Sequence, residues 1–237
     1  NNKHELIGCD PTIKKFSKYY RKDIKQVPDF FSGKIFQNKY FDLVTSISMF
    51  YDLPDPLNFA KEIFSILKED GIWHIELSYM PMMLKNLSYD TVCHEHLEYY
   101  SLKSLKFLLD KANLKIINLS FNQINGGSIA LDIAKKNSKF KEIKYLINWI
   151  LESERINKYN EISRQILFFK QSIKHKYLLK KLLMDLKKNN KKVFAYGAST
   201  KGNVILQYCK ITDKIIKYIG EVNKFKFNKY TPGTKIK

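Results

Sequence analysis

The chain has 237 residues, 44% of them hydrophobic and 14% aromatic, which is enough apolar side chain for a core and excludes a disordered polymer. Lysine and arginine outnumber aspartate and glutamate 42 to 23, giving a formal charge of +19. Only Arg21, Arg155 and Arg164 are arginines, so the side chain best suited to bidentate phosphate and base contacts is nearly missing. No nucleic-acid partner is expected. Cys9, Cys93 and Cys209 lie far apart without a Cys-x-x-Cys pair, which argues against a disulfide framework or a zinc knuckle in this stretch. No run approaches the roughly 20 apolar residues of a membrane span, so no membrane partner is expected either.

Taken in chain order, short apolar runs alternate with helical patterns, as in a doubly wound α/β sheet. A strand over 6–9 ends in Asp10-Pro11, and a second covers 41–48. The turn Pro54-Asp55-Pro56 leads into a helix whose apolar face uses Phe59, Ile63 and Leu67, with Glu69-Asp70-Gly71 as its stop. A third strand follows over 71–78, then a helix over 101–112 with Leu102, Leu105, Leu108 and Leu109 on one side. Strands over 114–122 and 128–134, joined around Asn125-Gly126-Gly127, read as an antiparallel hairpin. These residues, 1–134, form the first predicted domain. Residues 135–191 are a lysine-rich helical segment. The stretch 135–192 holds 17 basic and five acidic residues, so 12 of the 19 net positive charges lie there, on the solvated faces of two helices. A strand over 192–197 then enters a glycine turn and a helix, opening a second, incomplete α/β domain over 192–237.

Three places carry chemistry. Asp10 ends a strand, where a carboxylate can accept ribose hydroxyls or cap the next helix. In Cys93-His94-Glu95-His96-Leu97-Glu98-Tyr99-Tyr100, two histidines flank a carboxylate just before a helix. That is a poor zinc set, but it suits general acid–base work, and surface polarity is the plainer alternative. Tyr79, Tyr99 and Tyr100 add phenols for a polyhydroxylated substrate. In Tyr196-Gly197-Ala198-Ser199-Thr200-Lys201-Gly202-Asn203, a strand runs into a small-residue turn and a helix N-terminus bearing an ammonium. Such a turn suits a diphosphate, or is simply a tight structural turn.

In order along the chain, His94-Glu95-His96-Leu97-x-Tyr99-Tyr100-Ser101-Leu102, Asn125-Gly126-Gly127-Ser128, Gly197-Ala198-x-x-Lys201-Gly202-Asn203 and Tyr230-Thr231-Pro232-Gly233-Thr234 resemble the signatures of one family. These are the S-adenosylmethionine-dependent C-methyltransferases of nucleotide-linked deoxysugars. The resemblance implies a Rossmann-like class I methyltransferase sheet ending in an antiparallel hairpin, with S-adenosylmethionine as cofactor. It also implies an N-terminal zinc domain, a first strand and a glycine-rich cofactor loop that this sequence does not include. Zinc is therefore expected only in that domain, and the chain reads as a fragment of a longer cytoplasmic product, monomeric and inactive alone. Cys93 stands where many members carry tyrosine.

By the same resemblance, His96 is the candidate base that removes the C3 proton of a 4-keto sugar, and the resulting enolate attacks the sulfonium methyl. Glu95 positions or polarises, with His94 and Tyr99 in support. Asp10, Ser46, Ile47 and Ser48 would meet the cofactor. Tyr79, Asn125, Gly197, Lys201 and Asn203 would meet the nucleotide-diphosphate sugar. Alternatives are a methyltransferase for another keto, nitrogen or oxygen acceptor, a basic nucleic-acid-binding protein, or a non-catalytic remnant.

Overall fold

Alternation in Gly71-Ile72-Trp73-His74-Ile75-Glu76-Leu77 sends every second side chain to one face, and those residues form the centre of the core. The computed structural model describes residues 4–36 and 40–237; residues 1–3 and 37–39 of the first predicted domain lie outside the described residues. Its elements are β1 (Leu6–Cys9), α1 (Ile13–Phe16), β2 (Ile24–Val27), β3 (Phe41–Ile47), α2 (Pro56–Ile66), β4 (Leu67–Ser78), α3 (Met80–Asn86) and α4 (Leu102–Lys111). Next come β5 (Leu114–Asn122), β6 (Ser128–Lys135), α5 (Lys144–Ile156), α6 (Ile162–Lys188), β7 (Ala195–Tyr196), α7 (Thr200–Tyr208) and β8 (Ile219–Gly220).

The main sheet has the order β3-β4-β6-β5. β3 and β4 are parallel, connected through α2, whereas β6 runs antiparallel to both β4 and β5. The expected final hairpin is thus present and delivers one reversed strand beside a parallel pair, in a mixed α/β sheet. β1 and β2 form a separate parallel pair, as do β7 and β8. Helices α2, α4 and α5 cover one face of the main sheet, burying Ile63, Leu105, Ile147 and Ile150 against Trp73, Ile75, Ile116 and Leu131. Each such side chain contributes about 1.5–3 kcal/mol by leaving water. Asp55 starts α2 by accepting from the Asn58 N–H at 3.0 Å, and a Ser101–Ser104 capping box starts α4.

Several elements depart from expectation. α2 ends at Ile66, and Leu67 is already in β4, paired with Phe41. Gly71 does not stop a helix. An added Cβ there would lie 2.6 Å from the Phe41 carbonyl, so glycine is needed where β3 approaches closely. β2 and α3 were not anticipated, because four polar-interrupted residues and a methionine-rich turn of helix give weak periodicity. β7 spans two residues rather than six.

α6 buries only Ser172 and Leu183, and Lys170, Lys174, Lys180, Lys181, Lys187 and Lys188 are exposed. A second core gathers Leu183, Leu206, Cys209, Ile211, Ile216 and Ile236 around α7. It meets the first part through Tyr89, whose hydroxyl lies 2.8 Å from His175 Nδ1 and 3.5 Å from Cys209 Sγ.

Candidate active site

Parallel strands present their carboxyl ends on one edge, where ligands of open α/β sheets bind. β3 ends at Ile47 and β4 at Ser78, and the register Ile47↔Glu76 puts those ends together. Pairing of Ser78 with Ser128 brings the hairpin turn of Asn125, Gly126 and Gly127 to the same edge. Gly127, at φ +127°, accepts on its carbonyl from the Tyr79 N–H at 3.0 Å. A Cβ on Gly127 would fall 2.5 Å from Met82 Cβ, so only glycine fits.

After β3 the chain turns through Ser48, at φ +54°, into a short 3-10 turn, Phe50–Asp52. The Tyr51 carbonyl accepts from the N–H groups of Leu97 and Glu98 at 2.9 and 3.1 Å. A bridge between Tyr79 and Tyr100, with Met80 N–H donating to Tyr100 O at 2.8 Å, fixes the far end. The His-Glu-His segment is therefore laid across the carboxyl ends of β3 and β4. Two buried hydroxyls of this region, on Ser78 and Tyr100, have no hydrogen-bond partner.

Within the segment, His96 is half-buried with its ring centroid 4.4 Å from that of Tyr51. Neither of its ring nitrogens is hydrogen-bonded among the described residues. Glu95 is held below the usual carboxylate range by its own backbone N–H, the Cys93 thiol and the flanking histidines. Burial, then Glu95, pushes the Cys93 thiol up. Burial also raises Asp52, against the pull of His96. His94 is almost fully exposed and reaches Glu95 at 3.4 Å. Tyr99, raised by burial, packs against Met80, Met83 and Leu84.

Two predicted site residues are engaged in the core instead. Ser46 is buried and its hydroxyl accepts from the Trp73 indole at 3.0 Å, so it does not line a cofactor pocket with its side chain. Tyr79 is 5% exposed and its hydroxyl donates to Glu154 at 2.5 Å. Ile47, on the opposite face from Ser46, is exposed. Asp10 accepts from the Thr12 N–H and hydroxyl through Oδ1, and its Oδ2 is unbonded among the described residues.

In the C-terminal unit, Gly197 has φ +86°, and the Ala198 N–H beside it donates to Glu221 at 2.9 Å. The turn expected to cradle an anion thus already holds a carboxylate of its own chain. Lys226 bonds the Ala198 carbonyl. Asn203 donates to Ser199 O, and its Oδ1 is buried without a partner. Lys201 is half-buried with no hydrogen bond or ion pair among the described residues. The structure brings His94, Glu95, His96, Asn125 and Ile47 to one edge of the main sheet, while Gly197, Lys201 and Asn203 belong to the separate β7–α7 turn. No group of three or more His, Cys, Asp or Glu that could hold a metal occurs among the described residues.

Sequence reasoning missed Tyr51, Asp52 and Glu154. The first two immediately follow a predicted strand end, a signal that was available. Glu154 carried none, since it lies within the lysine-rich 135–192 stretch, 75 residues from Tyr79.

Residues 3–119 match the family model of the methyltransferase domain, and residues 123–237 match that of the C-methyltransferase C-terminal domain. The chain is 25% identical over 236 residues to the C-methyltransferase NovU of Streptomyces niveus, covering 98% of this chain and 56% of that protein. It therefore spans about half the length of the curated relative that it matches. Among solved structures, LepI in complex with SAM is similar at TM-score 0.47 and 15% identity, over 57% of this chain and 37% of that one. The plantazolicin methyltransferase BpumL is similar at TM-score 0.42 and 12% identity, over 55% and 67%.

Proposed function

We propose that this chain, whose two parts match the methyltransferase domain and the C-methyltransferase C-terminal domain in order, serves methyl transfer from S-adenosylmethionine to C3 of a 4-keto nucleotide-linked deoxysugar. The observation that supports this reading is the attachment of the His-Glu-His segment to the turn after β3, at the carboxyl edge of the sheet where ligands of open α/β folds bind.

The residues at that edge, together with Asp10 after β1, fit an adenosyl cofactor. Asp10 keeps one carboxylate oxygen for ribose hydroxyls, Ile47 offers exposed apolar surface, and Ser48 adjoins it. When bound, S-adenosylmethionine supplies an electrophilic methyl group. Carbon becomes nucleophilic only beside a carbonyl that stabilises its anion, which a 4-keto group provides at C3. His96 accepts the C3 proton on a free ring nitrogen, and the C3–H electron pair becomes the enolate. Glu95, kept ionised, stabilises the imidazolium that forms. His94 and Tyr99 are supporting groups at the rim. Asn125, in the hairpin turn at the same edge, is the group assigned to sugar hydroxyls. Lys201, with its unpaired ammonium, is the group assigned to the diphosphate, with Asn203 and the Gly197 turn beside it; the Ala198 N–H is not counted, since Glu221 uses it.

The test uses the full-length protein, S-adenosylmethionine with a ¹³C methyl group, and a 4-keto nucleotide sugar carrying ¹³C at C3. One-bond carbon–carbon coupling between the methyl and C3 is expected. A methyl bonded to oxygen or nitrogen would move the chain to another acceptor class.

A further inference from the structure

Histidine bases are commonly oriented by a hydrogen bond to the second ring nitrogen. His96 has none among the described residues, yet its ring is not loose: it packs on Tyr51 at 4.4 Å and 51°. Tyr51 is itself firmly held. It is 6% exposed within the main core. The turn that carries it is tied to β4, the Ser48 N–H donating to Glu76 O at 2.8 Å. The Tyr51 carbonyl also accepts from both residues that follow His96. Backbone and side chain of a single residue thus fix the base to the ends of β3 and β4.

We propose that Tyr51 is the positioning residue of the candidate base. Its ring sets the plane of the His96 imidazole by packing, so both nitrogens stay free, one for the substrate proton and one for exchange with solvent. Tyr51 touches no reacting atom. This rests on the reading of His96 as base, and the experiment separates the two.

In the full-length protein, Tyr51→Leu removes the ring and keeps apolar volume, while Tyr51→Phe keeps the ring and removes the hydroxyl. Misplacing a reacting group by about 1 Å costs on the order of 100-fold. Tyr51→Leu is expected to lower kcat for methylation of the 4-keto sugar about 30- to 100-fold, with KM for S-adenosylmethionine within about twofold, and Tyr51→Phe to restore kcat to within about threefold of wild type. Apparent kcat is referred to the folded fraction measured by near-UV circular dichroism, because loss of structure alone also lowers apparent kcat at equal KM. A Tyr51→Leu rate within threefold of wild type overturns the proposal, and so does a Tyr51→Phe rate as low as that of Tyr51→Leu. Ring-to-ring NMR cross-peaks between Tyr51 and His96 in the wild type are expected, and their absence also overturns it. If the wild type methylates no keto sugar, the proposed function fails, and those cross-peaks alone decide whether Tyr51 holds His96.

Discussion

Glu154→Gln is expected to destabilise the chain by about 2–4 kcal/mol in urea denaturation. Glu154 is 2% exposed although it lies in the lysine-rich 135–192 stretch. Its carboxylate accepts from the Tyr79 hydroxyl at 2.5 Å, the Leu102 and Lys103 N–H groups at 2.6 and 3.2 Å, and the Asn160 amide at 3.1 Å. It therefore caps α4 from a different helix and ties α5 to the end of β4. Glutamine has the same shape, but its amide would point N–H at groups that are themselves donors. One or more buried donors would then lose their acceptor. Tyr79→Phe removes only one of these bonds and is expected to cost about 1 kcal/mol. A loss below 1 kcal/mol for Glu154→Gln would show that the network is not holding α5 in place.

His96→Ala is expected to lower turnover of the full-length protein about 10²–10⁴-fold, the range usual for a general base. Cofactor affinity, measured by calorimetry, should change by less than about threefold, because the proposed cofactor contacts are made by Asp10 and the end of β3. The split between the two quantities is the informative feature. Equal losses in both would make His96 a binding residue, and near-normal turnover would remove it as the base.

Much of the fold was legible because the first half obeys simple periodicity. β4 alternates, α2 and α4 carry apolar stripes with caps, and the glycine pair marks the hairpin. The boundary between α2 and β4 was not legible, since Leu67 fits a helical stripe as well as a strand pair and only the approach of β3 decides. At the site, the His-Glu-His segment could be singled out from residue type and spacing. Its anchoring on Tyr51 could not, because it depends on backbone hydrogen bonds between residues far apart in sequence. The same limit explains Ser46 and Tyr79. Their types suit polar ligands, but strand phase turns Ser46 toward Trp73, and a distant glutamate captures Tyr79. Glu221 on the Gly197 turn is another long-range capture that spacing does not reveal.

The most direct measurement of proton removal by His96 is exchange at C3. A 4-keto nucleotide sugar deuterated at C3 is incubated with the full-length protein and S-adenosylhomocysteine, which has no methyl group to transfer. Wild-type protein is predicted to wash the deuterium into solvent and His96→Ala to leave it in place. Exchange by His96→Ala at the wild-type rate or, with S-adenosylmethionine in place of S-adenosylhomocysteine, a C-methylated product that still carries the C3 deuterium, would contradict a base at His96 acting through an enolate.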